Sequence, residues 1–162
     1  MNQATATIMI MAGGTGGHIF PGLAVAKALR ERGLQVVWLG SSQGMETRIV
    51  PAQGFTIETL DIKGLRGKGI GSLLKAPFKV ISAVLAARRM IMQYHPAAVV
   101  SFGGYTAGPG GVAALILGRP LLEHEQNRAP GMTNRLLARI ADKVMTGFPD
   151  SFKSIPHTTV GN

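Results

Sequence analysis

Cysteine is absent from the 162 residues. That excludes disulfides and thiolate metal sites, and it fits a reducing compartment. Aromatic residues amount to only 6%. None of the basic clusters interleaves with them as a base-stacking platform would, so nucleic acid is not an expected partner. No uncharged apolar run reaches the roughly 20 residues that a bilayer span needs. Residues Met1 to Thr7 lack the basic start and long apolar core of a secretion signal. The expectation is a soluble or peripheral protein of the cytoplasm. Acidic residues are scarce too, 8 against 17 Lys and Arg, for a formal net charge of +9. None falls between Asp61 and Glu123, a stretch that holds Lys63, Arg66, Lys68, Lys75, Lys79, Arg88, Arg89 and Arg119. A field of one sign suits an anionic partner, either a phosphate-bearing ligand or an acidic membrane surface.

What the chain has is 46% hydrophobic residues, arranged as short apolar runs alternating with longer helical patterns. The length suits one well-packed domain over residues 1–162. Strands are expected at Ala6–Ala12, Gln35–Gly40, Phe55–Leu60, Ala97–Phe102, Arg119–His124 and Lys143–Gly147, with the start of another at Thr158–Asn162. Between them lie helices at His18–Arg32, at Met45–Gln53, over a long region ending near Tyr94, up to about Leu117, and at Met132–Ile140. Continuously apolar strands in strand–helix alternation give a parallel sheet covered on both faces. With right-handed crossovers this is an α/β, Rossmann-like, doubly wound domain.

In such sheets ligands sit beyond the carboxyl ends of the strands. Two glycine clusters fall there. Gly13-Gly14-Thr15-Gly16-Gly17-His18 follows the first strand and opens a helix. Missing side chains let a ligand approach the backbone, and a helix N-terminus offers free N–H groups to an anion such as a pyrophosphate. It is not a Walker loop, because His18 stands where Lys-Ser/Thr would follow. It is not a dinucleotide fingerprint either, since the third glycine would fall at Ile19 and the second strand ends in Gly40-Ser41-Ser42 rather than an acid. The second cluster, Gly103-Gly104-Tyr105-Thr106-Ala107-Gly108-Pro109-Gly110-Gly111, follows the fourth strand and is expected to line the same cleft. A third polar run, Glu123-His124-Glu125-Gln126-Asn127-Arg128, ends the fifth strand. Its Glu–His–Glu core has no second ligand cluster to join, so no metal and no cofactor are expected.

Taken in order, Met11 to Gly22, Gly64 to Gly69, Gly103 to Gly110 and His124-Glu-Gln-Asn127 resemble the motifs of the MurG family of glycosyltransferases over nearly the whole chain. The resemblance implies the N-terminal domain of a GT-B enzyme, the acceptor side of a two-domain cleft, with the donor-binding domain outside this chain. It implies metal-free, inverting transfer of N-acetylglucosamine from UDP-N-acetylglucosamine to the C4 hydroxyl of the muramyl sugar of lipid I. That acceptor is an undecaprenyl-pyrophosphoryl-muramyl-pentapeptide, and the product is lipid II. By the same resemblance Thr15, Gly16, Gly17 and Asn127 contact the donor sugar or a pyrophosphate, with Gly14 in the same loop. His18 and Glu125 are rival general bases. Gly104 and Tyr105 contact the acceptor, and Asn134 is a weaker candidate. The work would be done at the cytoplasmic face of the bacterial plasma membrane, by a peripheral protein. The half alone is expected to be inactive.

The long helix supports the membrane location independently. At helical periodicity, Leu73, Val80, Val84 and Ile91 form one apolar arc, and Leu74, Phe78, Ile81 and Leu85 an adjoining one. Together they cover far more than the roughly 100° that a core-facing stripe needs. With Lys75, Lys79 and Arg89 beside them, the excess is expected to dock on an anionic membrane. A transferase with a soluble acceptor would have no use for such a helix. A non-catalytic binding module would have none for His18, Glu125 or Asn127.

Overall fold

The computed structural model describes residues 5–62 and 70–162, and side chains in all of that range except 70–75. A Gly-rich loop is expected over Lys63–Gly71; residues 63–69, and the side chains of Leu74 and Lys75, lie outside the described residues, and residues 70 and 71 already belong to a helix. Twelve elements follow in chain order: β1 Thr7–Ala12, α1 Gly16–Glu31, β2 Gln35–Ser41, α2 Glu46–Ala52, β3 Thr56–Leu60, α3 Ile70–Tyr94, β4 Ala98–Gly103, α4 Ala107–Ile116, β5 Leu121–Glu125, α5 Met132–Leu137, β6 Lys143–Thr146 and β7 Thr158–Thr159. The strands form one sheet in the order β3-β2-β1-β4-β5-β6-β7, and every pairing is parallel.

Strand alternation splits the core in two. Met9 and Met11 face a layer with Val99, Leu121, Ile91, Ala113 and Leu137, under α3, α4 and α5. Ile10 and Ala12 face Ile19, Leu23, Trp38, Val50 and Phe102, under α1 and α2. Trp38 is fully buried. Its indole N–H donates to the Ala12 carbonyl at 2.8 Å, so the largest apolar side chain of this layer also leaves no buried donor unpaired. An aromatic of this size removes about 150–250 Å² from water, roughly 4–6 kcal/mol of gross stabilisation. The α1 helix comes down on that ring at Gly22, where a methyl group would lie 2.8 Å from Trp38 Cη2. Gly22→Ala would therefore push the helix off the sheet.

The α4 helix uses the same device. Gly110 is pressed against the Met11 sulfur and Gly111 against Leu137. These two glycines serve packing inside a helix, and only the front of the second cluster reaches the cleft. Most boundaries shift by one or two residues from the sequence expectation, β5 for example running Leu121–Glu125 rather than Arg119–His124, and β7 covers only Thr158–Thr159. The α1 helix begins at Gly16 rather than His18, with extended Thr15 as its N-cap residue. The α5 helix ends at Leu137, and turns continue to Ile140. At the end of α3, His95 takes φ 45°, a left-handed cap before Pro96 that only a few non-glycine residues adopt.

Candidate functional site

The strand order reverses at the centre of the sheet, between β1 and β4. The connection from β1 leaves to one side through α1, and that from β4 leaves to the other through α4. A crevice must open between their carboxyl ends. Both glycine turns meet in it. A Cβ on Gly104 (φ 98°) would fall 2.5 Å from the carbonyl oxygen of Gly13, so the two loops touch backbone to backbone. A Cβ on Gly103 (φ 105°) would lie 2.7 Å from Asn134 Oδ1 and 3.1 Å from His18 Cε1. Positive φ and close approach together leave room only for glycine at both positions. Gly103, His18 and Asn134 thereby come together from three different elements.

The first loop is supported by a residue that sequence reasoning did not single out. Glu46, the first residue of α2, is fully buried. Its carboxylate accepts the Ser41 N–H at 2.8 Å and the Gly14 N–H at 3.2 Å. A Cβ on Gly13, Gly40 or Gly44 would collide with the Glu46 side chain. The Gly14 N–H is therefore committed inward to an anion and cannot serve a ligand. The N–H groups of Gly16 and Gly17, in the first turn of α1, make no hydrogen bond among the described residues. That turn carries no acidic residue, so the partial positive charge of the helix end is not neutralised there. Thr15 and Gly17 are exposed beside it.

The end of β5 supplies the third wall. Alternation places Glu123 and Glu125 on one face of the strand and His124 on the other, against Phe102 with ring centroids 5.4 Å apart. Three consecutive residues so arranged cannot converge on one ion, and no group of three or more potential metal ligands occurs among the described residues. Glu125 is fully buried, and its two oxygens accept from Asn127 N, Asn127 Nδ2, Gly131 N and Asn134 Nδ2 at 2.8–3.3 Å. Four donors on one carboxylate use its lone pairs. It ties the loop of residues 126–131 to α5. Asn134, only 2% exposed, is held by that carboxylate under Gly103.

His18 lies half-buried on the other side of the crevice. Its Nδ1 is 2.9 Å from Gln126 Oε1, a contact across 108 positions of sequence. Nε2 of His18 makes no hydrogen bond among the described residues. Tyr105 stands at the mouth, 51% exposed, and Asn127 is exposed with its Oδ1 unengaged among the described residues. One neighbour behaves differently. Glu123 is buried with neither oxygen hydrogen-bonded among the described residues. Desolvation pushes its pKa well above the ordinary range, the Ser101 hydroxyl opposing and Glu125 adding to the rise, which favours the protonated acid.

The membrane-facing expectation can be placed from Pro77 onward. Phe78 (76% exposed), Ile81 (56%), Leu85 (51%) and Met92 (45%) point to solvent. At 100° per residue these four fall within about 60° of one another. Ala87 and Ile91 lie on the opposite side of α3, buried in the core. Of the first arc, Ile91 is buried and Val84 partly buried, whereas Val80 is itself 39% exposed and the Leu73 side chain lies outside the described residues; Lys79 is exposed next to the second arc. No helix among the described residues is long and apolar enough to cross a membrane.

Comparison with known proteins identifies the fold and family. A UDP-N-acetylglucosamine–N-acetylmuramyl-(pentapeptide) pyrophosphoryl-undecaprenol N-acetylglucosamine transferase of Xylella fastidiosa is 58% identical over 155 residues, covering 96% of this chain and 42% of that protein. The protein of the same name from Xanthomonas axonopodis pv. citri is 61% identical, covering 96% of this chain and 36% of its own length. The crystal structure of Acinetobacter baumannii MurG superposes with a TM-score of 0.85 at 47% identity, over 95% of this chain and 45% of that one. A Streptomyces glycosyltransferase, SsfS6, complexed with thymidine diphosphate shares the fold at a TM-score of 0.64 and 18% identity, over 92% of this chain and 51% of its own. The chain therefore spans roughly two fifths of the length of the curated relatives it matches. The model of the glycosyltransferase family 28 N-terminal domain matches residues 8–146, and the chain belongs to that family.

Proposed function

We propose that this chain is the acceptor-side domain of an inverting N-acetylglucosaminyltransferase that converts lipid I to lipid II, with a second domain supplying most of the UDP-N-acetylglucosamine site. The observation that carries the reading is His18. It stands at the α1 N-terminus, over Gly103 and beside the two abutting glycine loops, with Nδ1 tied to Gln126 and Nε2 unpaired. An imidazole in that state has an in-plane lone pair free to take a proton.

The step is a single displacement. The C4 hydroxyl oxygen of the muramyl sugar attacks the anomeric carbon of N-acetylglucosamine. The bond from that carbon to the diphosphate breaks, UDP leaves with the electron pair, and the hydroxyl proton passes to His18 Nε2. Inversion follows from attack opposite the leaving group. Free N–H groups at Gly16 and Gly17 and the positive end of α1 suit a pyrophosphate at the same place, with Thr15 and Asn127 at the rim. Tyr105 and Gly104 line the acceptor side. Glu125, saturated by four donors, positions Asn127 and Asn134 and leaves the proton to His18.

The acceptor is lipid-linked, so its sugar must be met at a membrane surface. Phe78, Ile81, Leu85 and Lys79 offer an apolar stripe with a basic flank for the anionic cytoplasmic leaflet, where one basic side chain contributes about 1 kcal/mol. The protein in this reading is peripheral. Titration of the chain with a water-soluble lipid I analogue, followed by backbone amide shifts, tests the assignment. Shifts at Gly13–His18 and Gly103–Tyr105, with a weak response to UDP-N-acetylglucosamine, are expected. A folded chain that responds to neither would overturn it.

A further inference from the structure

We infer that Gln126 selects the reactive tautomer of His18, as the middle link of a one-way hydrogen-bond chain that starts at the Gly161 carbonyl. The inference rests on the reading of His18 as proton acceptor, and its polarity follows from groups that can only accept. The Gly161 carbonyl has no proton, so the 3.1 Å contact with His124 Nε2 requires N–H at that nitrogen. A neutral His124 then carries its lone pair on Nδ1. Burial lowers the His124 pKa and keeps the ring neutral, against smaller opposing effects of the Gly161 hydrogen bond and the Glu125 charge.

That lone pair faces the side-chain amide of Gln126 at 3.1 Å, so the amide nitrogen must be the atom presented to it. The backbone carbonyl of His124 accepts from the same nitrogen at 2.6 Å. Two acceptor-only groups thus orient the amide independently, and Gln126, 3% exposed, has no room to turn over without facing its oxygen to both. Its oxygen is left pointing at His18 Nδ1, 2.9 Å away. An amide oxygen cannot donate, so the proton of His18 sits on Nδ1 and the lone pair on Nε2. Free imidazole side chains in water favour the opposite form, with the proton on Nε2, which has no lone pair to take a proton. Gln126 therefore corrects a preference that works against catalysis. It touches no reacting atom and is a positioning residue, and His124 positions it in turn.

The test uses isotope-labelled histidine in this chain, at a pH above the imidazole range so that every ring is neutral. The nitrogen chemical shifts of His18 report which ring atom carries the proton. Wild type is expected to show a protonated Nδ1 and a bare Nε2. Gln126→Leu removes the acceptor and should move His18 toward the Nε2–H form. A wild-type His18 protonated on Nε2 overturns the inference, and so does a tautomer that survives Gln126→Leu. Should Gln126→Leu fail to fold, the wild-type spectrum alone decides, and a His18 with a bare Nδ1 counts against the inference. In the complete two-domain transferase, kcat of Gln126→Leu should fall about tenfold, the population ratio one net hydrogen bond holds. A shifted tautomer with unchanged kcat would sustain the inference about Gln126 and sink the reading of His18 as base.

Discussion

Replacing Glu46 by alanine should destabilise the domain by about 2–4 kcal/mol, although Glu46 lies outside every motif of the sequence. The figure has three parts. The carboxylate accepts two backbone N–H groups, from Ser41 at 2.8 Å and Gly14 at 3.2 Å, and a hydrogen bond to a charged group is worth about 1.5–3 kcal/mol. Truncation also empties the space that Gly13, Gly40 and Gly44 leave around the side chain, which adds a cavity cost. Against both stands the relief of no longer burying a charge without a cationic partner, which returns part of the sum. Glu46→Gln keeps the shape and one acceptor, and should cost about half as much. Gly13→Ala must displace the carboxylate and should match Glu46→Ala. Gly14→Ala meets nothing within 4 Å, but its φ of 86° costs about 1 kcal/mol. Equilibrium urea unfolding of the chain measures all four. If Glu46→Ala loses less than about 0.5 kcal/mol, or Gly14→Ala is worse than Gly13→Ala, the account of this loop is wrong.

Two further predictions follow from buried and exposed groups. Glu123 keeps its proton in the fold, so the unfolded chain ionises first. Its contribution to stability is complete below the ordinary value of 4.5 and is lost as pH rises from there toward the folded value, at a slope of at most about 1.4 kcal/mol per pH unit. Glu123→Gln should flatten that decline and raise Tm at neutral pH, and a Tm that falls more at pH 7 than at pH 4 would contradict it. On α3, the double substitution Phe78→Asp and Ile81→Asp should abolish sedimentation with anionic liposomes while leaving Tm within a few degrees, because both side chains are exposed. Unchanged liposome binding would exclude this face as the membrane contact.

Much of the architecture is legible in the sequence because it is local. Apolar runs such as TIMIMA and QVVWLG are buried strands wherever the chain leaves them, and the glycine turns fall after the first and fourth strands as alternation requires. The resemblance then nominated His18 and Asn127 by their motifs, with Asn134 a weaker candidate on the following helix. What stayed hidden depends on contacts distant in sequence. Gly13 reads as a ligand loop, yet its missing side chain makes room for Glu46, 33 positions on. Gln126 reads as one polar residue in six until it meets His18 across 108 positions. Gly110 and Gly111 carry the same letters as Gly103 and Gly104 but lie within α4, where they let the helix approach Met11 and Leu137. Glu125, a rival base by motif alone, is distinguished from His18 only by its four donors.

The most direct test is the rate of transfer by the complete two-domain protein carrying His18→Gln, with UDP-N-acetylglucosamine and a lipid I analogue at saturation. Loss of a general base predicts a kcat lower by about 10²–10⁴-fold, with KM for the donor nearly unchanged and the domain still folded. A kcat within a few fold of wild type would show that another group takes the proton, and would remove the residue on which the reading depends.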